Sequence, residues 1–133
     1  MRGRRSQQCS RAGGDLPRPP FSYNLSPALQ VQLARASVAV RQAVETNVHA
    51  FSLAGKLPPL KPKQRGGKPR PAVKRLDREM DGDWRIAIED IPGESEEWRV
   101  LFTPNAAKHR IDVHSAGPWS AIYKRFRASS SRS

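Results

Sequence analysis

Two segments that open on Trp-Arg and then alternate apolar with polar residues restrict this chain to a fold built on a half-buried sheet. They are Trp84-Arg85-Ile86-Ala87-Ile88-Glu89 and Trp98-Arg99-Val100-Leu101-Phe102-Thr103, followed by a shorter piece, Ile111-Asp112-Val113-His114. A period of two sends successive side chains to opposite faces of a strand. Trp84, Ile86, Ile88, Trp98, Val100 and Phe102 therefore share the buried face. Arg85 and Arg99 share the other. Two guanidinium groups on the open face of a small basic sheet suggest a phosphate site. With Ile111 and Val113 in the core, His114 joins Arg99 on that face, where an imidazole has the right chemistry for proton transfer.

Upstream, the period changes. Phe21, Tyr23 and Leu25 fit a short strand. Ser26-Pro27 reads as a helix start, with a capping hydroxyl followed by proline at the first helical position. Leu29 and Leu33 give a first helix its apolar edge, and Val40, Val44, Val48 and Phe51 recur at helical spacing until Gly55. Ser37 either caps a second helix or lies within one continuous helix. The expected class is α+β: a short N-terminal strand, a helical hairpin, then a three-strand antiparallel meander with the helices packed on one sheet face.

The charge is unevenly spread. The net charge is +12, and residues 56–78 carry nine Lys and Arg against one Asp. Such concentration favours a polyanionic partner, most often nucleic acid; the plainer alternative is a solvated linker. Residues 56–72 are broken by five prolines and two glycines and read as a long, mobile basic loop. Within and beside it, Lys61, Lys63, Arg65, Lys68, Arg70, Lys74 and Arg75 are candidate RNA contacts. Residues 1–19 read as a disordered basic tail, 20–127 as one domain and 128–133 as a second tail. The single cysteine, Cys9, excludes an intramolecular disulfide and a multi-cysteine zinc site. No run is apolar enough to span a membrane, and no apolar segment follows the charged start as in a signal peptide, so a cytoplasmic protein is expected.

From about Phe21 to Arg125 the chain resembles the RelE/ParE superfamily of bacterial type II toxins. The resemblance rests on Val73-Lys74-Arg75-Leu76, the two Trp-Arg strands, and Gly117 with Ser120-Ala121-Ile122-Tyr123. It implies a strand, a helical hairpin and a meander, with a cognate antitoxin as partner. In the RelE-like branch it further implies mRNA cleavage on the ribosome without metal or cofactor; ParE-like members inhibit DNA gyrase instead. Carried over by motif, Arg85 and Arg99 bind the phosphate, and Tyr123 stacks on a base or assists proton transfer. Two departures weaken the cationic site: Ala87 replaces a second strand cation, and Pro118-Trp119 replace basic residues after the glycine. A catalytically degenerate protein that only binds RNA or protein is therefore the alternative. Trp119 is a candidate stacking residue. Arg85 and Arg99 also have a structural alternative, cross-strand pairing with Glu89, Asp112 or Glu97. The oligomeric state stays open.

Overall fold

A computed structural model of the protein describes residues 15–76 and 82–122. Within them, β1 (Ser22–Leu25) leads into α1 (Pro27–Arg35) and α2 (Val38–Ala54). Four strands follow: β2 (Val73–Arg75), β3 (Trp84–Ile88), β4 (Trp98–Asn105) and β5 (Arg110–Pro118). The class is α+β. The meander has one strand more than the alternation alone marked, because Val73–Arg75 pairs antiparallel with Trp84–Ile86. The sheet order is β1-β5-β4-β3-β2, with β1 parallel to β5 and every other pairing antiparallel.

The helices form a hairpin rather than one rod. Ser26 Oγ accepts from Leu29 N–H and Ser37 Oγ accepts from Val40 N–H, each at 3.2 Å. Each serine thus satisfies a donor that an N-terminus would leave unpaired. Ala36 and Ser37 are extended, which breaks the helix between the two caps. Gly55 ends α2 in the left-handed region at φ 74°, and a Cβ there would meet Pro19 Cγ at 2.9 Å. Only glycine fits both demands.

Leu29 and Leu33 of α1 and Val40, Val44, Val48 and Phe51 of α2 pack on one sheet face, against Ile86, Ile88, Trp98, Val100, Phe102, Ile111, Val113 and Ala116. Leu16 packs against the same core, so the folded body begins earlier than the expected tail boundary. Residues 1–14 and 128–133, the rest of the expected tails, lie outside the described residues.

Residues 56–72, read from their prolines and charges as a long basic loop, pack against the sheet. They run as a flap across the other sheet face. Leu60 and Ala72 are buried against Ala87, and Leu57 packs beside them. Leu60 and Arg70 exchange two backbone hydrogen bonds, at 2.7 and 3.0 Å, which closes residues 60–70 into a hairpin. Two apolar side chains and a few backbone bonds suffice to seat a segment that composition alone marks as solvated.

Candidate functional site on the second sheet face

The face away from the helices carries Arg85, Ala87, Arg99, Leu101 and Thr103, as the alternation requires. Arg85 and Arg99 do share it, but it is not open over its whole width. Arg85 is only 7% exposed. Its Nη1 donates to the carbonyls of Pro71 and Ala72, at 3.0 and 3.2 Å. The flap therefore covers the guanidinium and uses it as a tether. Burial first, then the charges of Arg99 and Arg70, lower its pKa to about 10, so it stays cationic at neutral pH. The expectation of an accessible phosphate ligand at Arg85 is corrected accordingly. Ala87 has the same explanation: it lies beneath Leu60, where a long cation would not fit.

Arg99 is less buried than Arg85, its side chain 17% exposed. Its Nε donates to Glu97 Oε2 at 2.6 Å, and its guanidinium lies 5.9 Å from the Trp119 ring centroid. Glu97 also accepts from Arg70 Nη1 at 2.8 Å, so one carboxylate joins the flap to β4. Burial would raise the Glu97 pKa; the hydrogen bonds from Arg70 and Arg99 outweigh it and hold the carboxyl below its ordinary range.

A β-bulge adds Ser115 to the face that alternation already gives His114. Leu101 pairs with Ser115, but Phe102 pairs with Val113, so β5 carries one extra residue. Val113 and Ala116 both reach the core, and the two residues between them, His114 and Ser115, both turn to the second face. His114 Nδ1 lies 3.0 Å from Ser115 Oγ, and Nε2 lies 3.2 Å from Asp83 Oδ2. Thr103 Oγ1 donates to the other Asp83 oxygen at 2.6 Å. Burial opposes ionisation of Asp83, but the bonds from His114 and Thr103 prevail and lower its pKa. The result is an oriented imidazole backed by a carboxylate, the arrangement that fixes a proton carrier. Arg99 pairs with Gly117, two residues along β5 from Ser115. Such diagonal neighbours lie about 7–8 Å apart.

The C-terminal motif also acquires physical reasons. A Cβ on Gly117 would stand 3.3 Å from Ile122, so glycine leaves room for the chain to fold back over the sheet. Ser120 donates through N–H and Oγ to Glu96, at 3.0 and 2.9 Å, and Trp119 N–H donates to the Glu97 carbonyl at 2.8 Å. These bonds seat the turn at residues 119–122 and place Trp119 beside Arg99. Tyr123 lies outside the described residues.

The expected RNA contacts divide. Lys74 is exposed on the second face, paired across from Arg85. Arg75 turns the other way, 5.9 Å from the Trp84 ring. Lys61 and Arg70 are held by Asp90 and by Glu89 and Glu97 respectively. Lys63, Arg65 and Lys68 are exposed on the hairpin. Sequence reasoning missed Asp83, Ser115 and Thr103. A signal for the bulge was available: after Val113 the next core residue is Ala116, a spacing of three where an unbroken strand has two. A depression of about 480 Å³ lies elsewhere, on the helical side between Val31, Ser37, Val40 and Trp98. Gln32, Arg35 and Glu94 also line it, and it holds none of the residues of the second sheet face.

Comparisons with protein-family models, with curated proteins and with solved structures give no match to this chain. No helix among the described residues is long and apolar enough to cross a membrane.

Proposed function

We propose that this chain is an RNA-directed toxin of the RelE/ParE kind, an mRNA endoribonuclease that acts at the ribosome and is restrained by an antitoxin. The observation that carries the reading is His114 on the polar face it shares with Arg99, its ring held between Asp83 and Ser115. Cleavage of RNA by its own 2′-hydroxyl needs a base for that proton and a cation for the charged phosphorane. In this reading His114 Nδ1, turned from Ser115 Oγ to the substrate, takes the 2′-hydroxyl proton and delivers it to the departing 5′-oxygen. Asp83 holds the ring through Nε2, and Arg99 stabilises the phosphate oxygens. Trp119 offers a ring for an unpaired base. Lys74, at the far edge of the sheet, meets the phosphate of a neighbouring nucleotide. The element order, a strand, a helical hairpin and a meander, supports the same family reading.

A second reading draws on a different observation. Arg85 is buried and Arg99 is paired with Glu97, so fewer cations face solvent than the motif implies. This favours a ParE-like inhibitor or a toxin-fold protein that only binds. The deciding experiment induces wild type, Arg99→Ala and His114→Ala, checks folding by circular dichroism, and reads growth and mRNA 5′ ends. The cleavage reading expects arrest with new 5′ ends for wild type and neither for the folded variants. Arrest without cutting by wild type would establish the binding reading.

A further inference from the structure

The hairpin at residues 60–70 is built as a finger with a fixed stem and a charged tip. Leu60 is 6% exposed, and its two backbone bonds to Arg70 close the stem. Arg70 Nε donates to the Lys61 carbonyl at 2.9 Å, while its η nitrogens reach Glu97 and Glu89. The Lys61 ammonium lies 2.6 Å from Asp90, and its N–H donates to Glu89. Both stem cations are thus spent on the protein's own carboxylates. At the other end Gly67 N–H donates to the Gln64 carbonyl at 2.9 Å, with Gly66 at φ 80°. That is a tight turn with a positive φ at its third position, which glycine supplies. Nothing lies within 4 Å of a Cβ built on Gly66, so the tip stands in open space. Lys63, Arg65 and Lys68 flank this turn, and among the described residues none of them has an acidic partner.

We propose that this finger is a binding site, separate from the His114 face, for the phosphate backbone of double-helical RNA, with Lys63, Arg65 and Lys68 as the contacts and Lys61 and Arg70 as its anchors. Three observations select this ligand. The uncompensated charge is of one sign and is carried on the exposed tip of a loop closed at its base by the Leu60–Arg70 bridge. Residues 56–72 contain no Phe, Tyr or Trp. Unpaired bases are held by stacking, whereas an RNA duplex is recognised mainly through its phosphates and 2′-hydroxyls. The choice of RNA over DNA rests on the proposed function; the phosphate contact itself does not.

The test measures binding of the full-length protein to a short fluorescent RNA duplex, its single strand and the matching DNA duplex across a salt series. The tip variant Lys63→Ser/Arg65→Ser/Lys68→Ser is expected to bind the RNA duplex about tenfold more weakly. Its log–log salt slope is expected to be shallower by about 2–3, the counterions that three phosphate contacts release. Lys61→Ser should keep the wild-type slope. An unchanged slope in the tip variant would overturn the site. Preference for the single strand would overturn the duplex assignment, and tighter binding of the DNA duplex would overturn RNA. None of these outcomes depends on cleavage: a wild-type protein that binds through the tip but cuts no mRNA removes the proposed reaction and leaves the finger standing.

Discussion

Arg85 and Arg99 occupy one sheet face, and what lies within hydrogen-bonding reach of each decides its chemistry. Arg85 faces two carbonyls, which leaves its charge fixed and inward. Arg99 faces a carboxylate and an indole, which leaves it mostly covered but partly exposed. Glu97 is the residue both Arg99 and Arg70 depend on. Its carboxyl titrates below its ordinary value of 4.5 in the folded protein, and Asp83 lies below 3.8 in the same way. A carboxyl whose pKa is depressed by folding stabilises the fold above its unfolded value, and that contribution is lost as pH falls through the folded value. Wild type should therefore lose urea resistance steeply between about pH 5 and about pH 3, while Glu97→Gln starts weaker and converges with it at the acid end. Parallel curves would remove Glu97 from the acid response. At the His114 pair, Asp83→Asn keeps the shape but gives up the charge that orients the ring. If the cleavage reading holds, His114→Ala should slow cutting by about 100-fold or more, with Asp83→Asn between it and wild type. Wild-type cutting by folded Asp83→Asn would show that the imidazole needs no carboxylate behind it.

The flap is the element whose place departs furthest from expectation. Its attachment consists of Leu60 and Ala72 on Ala87, the Arg85 tether and the Arg70–Glu97 bridge. Replacing Arg85 by Met keeps most of the volume but deletes the charged donor to two carbonyls. A cost of about 2 kcal/mol in urea unfolding is expected, since bonds to charged groups contribute more than neutral ones. An unchanged midpoint would mean that the flap is held by its apolar contacts alone. The strands and helices were legible because each repeats its pattern over several residues: Val40, Val44, Val48 and Phe51 announce one helix face, and Ile86, Ile88, Val100 and Phe102 one sheet face. The cap at Ser26 was legible because it is local and followed by Pro27. Ser37 fitted both a cap and the middle of one helix, and the extended backbone at Ala36 and Ser37 decides it. The flap was not legible, because its anchors are single residues separated by prolines and meet β3 and β4 only in the fold. Asp83 was hidden likewise: its partners His114 and Thr103 come from two other strands.

Across the whole molecule the two faces of the sheet are supported unequally. One continuous cluster joins both helices to β3, β4 and β5, so those elements should open only with global unfolding. The cluster beneath the flap is built on Leu60, Ala72 and Ala87, with little apolar area to hold it. The ion pairs around it are partly solvated, and such pairs contribute modestly. The flap should therefore detach well before the sheet does, baring Arg85 and loosening Glu97's hold on Arg99 in the same motion. Amide hydrogen exchange measures this directly. The Leu60 and Arg70 amides, which bond only to each other's carbonyls, should exchange at least about tenfold sooner than those of Val100 and Val113. Arg70→Ala, which removes the bridge to Glu97, should widen that gap without changing exchange at Val100. Flap amides as slow as those of the central strands would mean that the second face stays closed short of unfolding, and Arg85 would then have a structural role alone.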